Sequence, residues 1–95
     1  MKIYLTAIIK AKEEYRNEVL EVLQNMVKET QKEEANELYA LHQGTEDQNV
    51  FVFYEIWKSR EGLAAHNEQP YIKAFGALVN EKLQEEPTII LTTLI

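Results

Sequence analysis

The alternation of hydrophobic and polar residues predicts a strand at the start of the chain and a helix after it. Over residues 3–11 one set of alternate positions is wholly apolar, namely Ile3, Leu5, Ala7, Ile9 and Ala11. Apolar residues then recur with helical spacing, at Tyr15, Val19, Val22, Leu23 and Met26. The first third of the chain is therefore predicted to be a strand with one strongly apolar face, followed by an amphipathic helix.

The middle of the chain predicts a hairpin. Two segments rich in aliphatic and aromatic residues, 38–43 and 50–57, flank the polar run 44–49, whose Gly, Asp and Asn residues favour turns. Strands joined by a loop of this kind pair antiparallel because the chain reverses direction between them. We therefore expect strands two and three to be neighbours.

Two helices and a final strand complete the pattern. Ser59 stands where a helix N-cap is expected, and Pro70 suits the first turn of a second helix, which Pro87 ends. Residues 88–94 are again β-branched and apolar, which predicts a strand. The order of strand, helix, two strands, helix pair and strand contains no linker. It predicts a single α+β domain over residues 1–95, with the ferredoxin-like split βαβ topology and an antiparallel sheet.

Helices in this topology cover only one face of the sheet, yet the third strand is apolar on both faces. One face carries Phe51, Phe53 and Trp57, and the other carries Val50, Val52, Tyr54 and Ile56. A monomer would leave the second apolar face in water. We expect a second copy of the chain to cover it, so that the protein is a homodimer.

Charge and composition exclude several classes of partner and of chemistry. Sixteen acidic and ten basic residues give a formal charge of −6 at pH 7, which opposes binding to nucleic acid because Lys and Arg hold phosphate backbones. No leader sequence or membrane-spanning apolar run is recognisable, so we expect no membrane partner and a cytoplasmic location. Because the chain has no cysteine, any catalysis must use imidazole, carboxylate or phenol groups.

Glu55, Trp57 and His66 are the first candidates for a functional site. Glu55 shares a strand face with Phe53 and Trp57, where a carboxylate is costly unless it is paired or hydrogen bonded. It is either a structural group or the partner that orients His66 beside a cavity. Trp57 either fills the core or lines an aromatic pocket for a planar substrate. His66 is either a packed core residue or a base that titrates near neutral pH.

Residues 51–75 resemble the antibiotic biosynthesis monooxygenase family, of the small quinol monooxygenase type. The resemblance rests on an aromatic strand ending in Glu55-Ile56-Trp57, a short helix with Leu63-Ala64-Ala65-His66, and then Pro70, Tyr71 and Phe75. It implies a dimeric α+β barrel. It also implies an oxidoreductase that oxygenates a small aromatic or quinol-like compound with molecular oxygen and without metal, flavin or another cofactor.

The same resemblance implies roles for individual residues. His66 is expected to be the catalytic base and Glu55 the group that orients it. Tyr71 stands where many relatives carry a second histidine, and we expect its hydroxyl to bond a substrate carbonyl or oxyanion. Trp57, Phe53 and Phe75 are expected to form the substrate-binding walls. No metal site is expected, because neither histidine has a metal-ligand spacing.

Two other functions remain open on the sequence alone. The domain could bind a small molecule without converting it, in which case Glu55 is purely structural. It could also isomerise a phosphorylated or hydroxylated carbonyl compound, as some relatives of the resembled family do, and Arg60 and Lys73 would then supply the cations near the pocket. Haem degradation is disfavoured, because haem-degrading relatives carry an Asn in the first strand and residues 4–8 contain none.

Overall fold

The computed structural model describes residues 1–95, which form four strands and three α-helices. In chain order the elements are β1 (Ile3–Lys10), a 3₁₀ turn (Glu13–Tyr15), α1 (Arg16–Thr30), β2 (Asn36–Gln43), β3 (Val50–Trp57), α2 (Arg60–Asn67), α3 (Pro70–Lys82) and β4 (Thr88–Thr92). The order of the strands and of the helices is the predicted one. None of the helices is both long and apolar enough to cross a membrane.

The four strands form one antiparallel sheet in the order β2-β3-β1-β4. The central strands are β1 and β3, and their register places Ala7 opposite Phe53 and Leu5 opposite Glu55. Helix α1 connects β1 to β2, and helices α2 and α3 connect β3 to β4. With β1 and β3 in the centre of the sheet, this is the expected ferredoxin-like α+β topology.

One face of the sheet forms the hydrophobic core together with the helices, and we call it the covered face. Side chains alternate along a strand, so the buried residues of β1 and β3 are their odd-numbered ones. The core includes Leu5, Ala7, Ile9, Phe51, Phe53 and Trp57 from these strands, Tyr39 from β2, Val19, Leu23 and Met26 from α1, and Val79 from α3, together with Ala11 and Leu83. Glu55 also belongs to this odd-numbered set and is only 4% exposed. The core therefore contains a carboxyl group.

The opposite face of the sheet, which we call the open face, carries the even-numbered residues of β1 and β3. The register places Leu38 beside Ile56, and Ile90 and Tyr54 beside Thr6. Large apolar side chains on this face reach solvent, with Leu38 39%, Tyr54 37% and Ile90 44% exposed. The second apolar face expected from the sequence is thus present.

The ends of two elements differ from the sequence expectation. The sequence places the end of α3 at Pro87, whereas the helix ends at Lys82. The reason is that the next residues bond to the end of β1, where Leu83 forms a β-bridge with Ala11. β4 covers Thr88–Thr92 and stops short of the expected residue 94.

Candidate active site

A cavity of about 420 Å³ lies between the covered face of the sheet and the helices. This volume is within the range of small-ligand sites, about 300–1,000 Å³. Eleven of its sixteen lining residues are hydrophobic, and the acidic and imidazole side chains among the rest are Glu55, His66 and Glu86. No lysine or arginine lines it. The cavity is therefore apolar with a few ionisable groups, none of them a permanent cation.

Helix α2 brings His66 to this cavity. The helix begins after Ser59, whose Oγ accepts a hydrogen bond from the Gly62 N–H over 3.0 Å, as the N-cap position predicts. The His66 ring packs against Trp57 and Tyr39, with ring centroids 4.5 and 5.5 Å apart. Burial lowers the pKa of His66 from its ordinary value, although a hydrogen bond to Glu33 opposes this shift. At pH 7 the ring is therefore neutral and held between aromatic neighbours.

Glu33 is the hydrogen-bond partner of His66, and sequence reasoning missed it. Its Oε2 lies 2.9 Å from His66 Nδ1 and also accepts a hydrogen bond from the Tyr71 hydroxyl. Glu33 belongs to the turn between α1 and β2, in the charged run 32–34. A run of this composition is typical of a solvated loop, and only the fold brings it to a residue 33 positions further along the chain.

Tyr71 does not have the position expected of a substrate anchor. Its hydroxyl donates to Glu33, and Tyr71 is not among the residues that line the cavity. Burial, together with the hydrogen bond to Glu33, raises the pKa of Tyr71 above its ordinary value, so the phenol keeps its proton. Tyr71 therefore contacts the Glu33–His66 pair rather than the cavity.

The expected hydrogen bond between Glu55 and His66 is not formed. Glu55 Oε1 instead accepts a hydrogen bond from Trp57 Nε1 over 2.8 Å. The two residues are two positions apart on β3, so their side chains share the covered face. Burial raises the pKa of Glu55 from 4.5 to about 7; the Trp57 hydrogen bond opposes this rise and the charge of Glu33 adds to it. Glu55 is therefore a carboxyl group that titrates near neutral pH.

Two polar atoms of side chains that line the cavity have no hydrogen-bond partner in the protein, His66 Nε2 and Glu55 Oε2. The hydrogen bonds of these side chains use their other polar atoms, Nδ1 and Oε1. Both residues line the cavity, and Thr30 Oγ1 is the one buried side-chain N or O atom with neither a partner nor accessible surface. Because Nε2 and Oε2 are not in this set although they lack a partner, they keep some accessible surface, and the cavity is the open space that both residues line. The polar groups available to a ligand in the cavity therefore include an imidazole nitrogen and an oxygen of a buried carboxyl group.

The three aromatic residues predicted as cavity walls have different positions. Phe53 from β3 and Phe75 from α3 line the cavity. Trp57 does not, because it is fully buried and its ring is packed directly against His66. A cavity between Trp57 and His66 is thus absent, and the open space adjoins His66 without reaching Trp57. The core position considered for Trp57 is the one that the structure has.

The second histidine and the acidic residues form no further centre. His42 is exposed on β2, opposite Val52, and so lies on the open face. No group of three or more His, Asp or Glu side chains is arranged to hold a metal ion.

The fold and the site define a ferredoxin-like α+β domain with an imidazole and a carboxyl group at the wall of an apolar cavity. The chain belongs to the antibiotic biosynthesis monooxygenase family, whose model matches residues 2–78. A relative from Bacillus subtilis (strain 168), named "Putative monooxygenase YcnE", is 35% identical over 92 residues, which are 97% of this chain and 97% of the relative. The family expected from residues 51–75 is thereby confirmed.

Solved structures share the fold over nearly the whole chain. A crystal structure of an antibiotic biosynthesis monooxygenase matches with a TM-score of 0.92 and 25% identity, covering 98% of both chains. The Mycobacterium tuberculosis protein Rv0793 matches with a TM-score of 0.93 and 20% identity, covering 100% of this chain and 96% of its own. At that identity the second likeness concerns the fold alone.

Proposed function

We propose that this protein is a cofactor-independent monooxygenase that oxidises a small aromatic or quinol-like compound with molecular oxygen. The observation that carries the proposal is the unpartnered Nε2 of His66 at the wall of an apolar cavity, on a ring whose Nδ1 is hydrogen bonded to Glu33. A neutral imidazole in this place can accept a proton from a phenol, quinol or anthrone. Membership of the monooxygenase family supports the same reaction class.

The chemistry needs one proton transfer and then oxygen itself. Removing a proton from an activated CH₂ group gives an anion that is electron-rich enough to pass one electron to O₂. The two resulting radicals combine through a new C–O bond, and the imidazolium returns its proton to give a hydroperoxide. Loss of water from the hydroperoxide leaves a carbonyl, so one oxygen atom enters the product and the other leaves as water. The base is regenerated and no further reductant is consumed.

Glu55 takes the substrate-binding role that the family resemblance implied for Tyr71. Its Oε2 has no partner in the protein, its side chain lines the cavity, and with a pKa of about 7 the carboxyl keeps a proton in neutral solution about as often as not. The protonated carboxyl donates a hydrogen bond to a substrate oxygen, while the ionised form would repel the substrate anion. In this proposal His66 takes the proton, Glu55 binds the oxygen, and Phe53 and Phe75 enclose the ring.

The charge of the cavity favours an uncharged substrate. Glu55 and Glu86 line it without any lysine or arginine, so a phosphate group would find no counter-charge there. Arg60 lines two neighbouring crevices and not the cavity itself, and Lys73 forms an exposed ion pair with Glu68. These observations favour the monooxygenase over an isomerase of phosphorylated carbonyl compounds.

Oxygen uptake tests the proposed function. The purified protein is incubated with a panel of quinols and anthrones, under air and under argon, without added metal or flavin. We expect protein-dependent oxygen consumption with at least one compound. His66→Asn keeps an N–H group close to the Nδ1 position but removes the base, so the rate should fall about 10²–10⁴-fold. His42→Asn makes the same change on the open face and should leave the rate unchanged.

Two results would contradict this proposal. Binding of the panel compounds without oxygen consumption would identify a small-molecule-binding module instead. A His66→Asn variant that is folded and as active as the unmodified protein would show that the base is another group.

We also propose that two chains form a homodimer through their open faces, as a dimeric α+β barrel. The support is the exposure of Leu38, Tyr54 and Ile90 on that face, where a second sheet would remove apolar surface from water. Light scattering at micromolar concentration should give twice the monomer mass. Tyr54→Asp should shift the equilibrium to monomer, while Ala77→Asp, on an exposed position of α3, should not. A monomeric unmodified protein would overturn the proposal.

A further inference from the structure

The shared oxygen of Glu33 determines where the protons of its two partners lie. A carboxylate only accepts hydrogen bonds, and a tyrosine hydroxyl has one proton to donate. With Tyr71 donating to Oε2, the contact of 2.9 Å between the same oxygen and His66 Nδ1 requires a proton on Nδ1. A neutral imidazole has only one N–H, so Nε2 carries the lone pair.

The turn that carries Glu33 is fastened to the segment before α2. The Glu33 N–H donates to the Thr30 carbonyl over 2.9 Å, and the Lys58 N–H donates to the Ala35 carbonyl over 2.9 Å. A Cβ added at Gly62 would lie 2.3 Å from the Ala35 Cβ, so α2 approaches this turn as closely as only a glycine permits. The carboxyl group therefore has a defined position relative to the helix that carries His66.

Glu33 itself does not belong to the cavity lining. Its side chain is 13% exposed and that of His66 is 5% exposed. The effect of Glu33 on a ligand would thus pass through the imidazole and not through direct contact.

We propose that Glu33 is a positioning residue that holds His66 in the tautomer with the proton on Nδ1 and directs the Nε2 lone pair into the cavity, with Tyr71 holding the Glu33 carboxylate in place. The tautomer follows from the hydrogen bonds that a carboxylate forms with a neutral ring, whereas its consequence for turnover rests on the proposed function. The two parts are therefore tested by different measurements.

Nitrogen NMR of the histidine rings tests the tautomer without a substrate. In protein labelled with ¹⁵N-histidine, only His66 and His42 give ring signals, and His42 on the open face serves as the internal reference. We expect the unmodified protein to show His66 with a protonated Nδ1 and an unprotonated Nε2. A proton found on Nε2 of the neutral ring would overturn the proposal whatever any variant does.

Two substitutions distinguish the role of Glu33 as a hydrogen-bond acceptor from the role of its negative charge. Glu33→Leu removes both, and we expect the His66 proton to move toward Nε2. Glu33→Gln keeps an oxygen that can accept from Nδ1–H, so the tautomer should be retained. An unchanged His66 spectrum in Glu33→Leu would show that Glu33 does not determine the tautomer. If Glu33→Leu does not fold, the spectrum of the unmodified protein still decides which tautomer is present, and the titration of Glu33→Gln tests the influence of Glu33.

A titration of the same signals provides a second measurement. The titratable groups next to His66 are Glu33 from the α1–β2 turn, Tyr39 from β2 and Tyr71 from α3, while Glu55 from β3 lines the same cavity. Because the hydrogen bond and the charge of Glu33 both raise the pKa of His66, Glu33→Gln should lower that pKa. The ring signals of His42 should be unaffected by the substitution, and an unaltered pKa of His66 would contradict the role of the Glu33 charge.

The catalytic consequence is measured on any compound that the protein oxidises. Glu33→Leu should lower kcat about 10²-fold, the lower end of what a positioned base contributes, with little change in KM because Glu33 does not reach the cavity. Equal kcat values would refute the catalytic role. If no compound is oxidised, the proposed function fails while the tautomer measurement stands by itself.

Discussion

The buried carboxyl of Glu55 should make the folded protein less stable as the pH rises. Burial raises the pKa of Glu55 from 4.5 to about 7, so the folded state binds this proton more tightly than the unfolded chain does. Below pH 4.5 both states carry the proton and the group has no effect. Between pH 4.5 and 7 the unfolded chain loses it first, and stability falls with increasing pH.

The size of this effect follows from the pKa difference. Each pKa unit is worth about 1.4 kcal/mol, so the ionisation of Glu55 within the fold costs about 3 kcal/mol by the time the pH exceeds 7. This is a large fraction of the 5–15 kcal/mol by which domains are typically stable. The loss should therefore be measurable in a chain of this size.

Urea unfolding of the unmodified protein and of Glu55→Gln, at one protein concentration and from about pH 4 to about pH 8.5, measures the effect. Glutamine keeps an oxygen that can accept the Trp57 N–H but cannot ionise. Subtracting the pH dependence of the free energy of unfolding of one protein from that of the other cancels the contributions of all other titratable groups, which the two proteins share. We expect the free energy of unfolding of Glu55→Gln to rise relative to the unmodified protein by about 3 kcal/mol across this range.

Glu21→Gln provides the matched control, because Glu21 is an exposed residue of α1 and the change in charge is the same. Its difference curve should be nearly flat over the same pH range. If the Glu55→Gln difference curve is as flat as that of Glu21→Gln, the pKa of Glu55 is not raised by the fold. The role of Glu55 as a protonated hydrogen-bond donor in the cavity would then be refuted.

Two further predictions concern packing and turnover. Gly62→Ala should destabilise the protein by about 1–3 kcal/mol in thermal unfolding, because the new Cβ would lie 2.3 Å from the Cβ of Ala35. Gly76→Ala lies in open space on α3 and should stabilise the protein by up to about 1 kcal/mol. Equal effects of the two substitutions would contradict the close approach. The pH profile of kcat/KM should be bell-shaped, rising as His66 loses its proton below its ordinary pKa and falling as Glu55 loses its own near pH 7. A profile that keeps rising above pH 8 would exclude the protonated form of Glu55 from the reaction.

The sequence predicted the elements well because each has a local signature. The alternation over residues 3–11 identifies the buried face of β1, and Ser59 and Pro70 mark the starts of α2 and α3. The end of α3 has no such local signature. It depends on a bridge from Leu83 to the end of β1, which no pattern within the helix reveals.

The partners within the site were much less predictable. Glu55 could be identified as unusual because a carboxylate interrupts an apolar strand face, yet its partner is Trp57 and not His66. Glu33 carries no such signal, since one glutamate in a charged turn looks like its neighbours. Its contact with His66 exists because the α1–β2 turn docks against the start of α2.

The sequence by itself therefore determined the fold class, the family, the covered and open faces of the sheet, and the residue types available for chemistry. These properties follow from local periodicity and composition, which any segment displays without knowledge of the rest. Only the tertiary structure decided which carboxyl binds His66, that Trp57 packs the core and that Tyr71 faces Glu33. Hydrogen bonds between distant segments form only when the two atoms are positioned to within a few tenths of an ångström. These positions are set by how the sheet and the helices pack, not by any pattern along the chain.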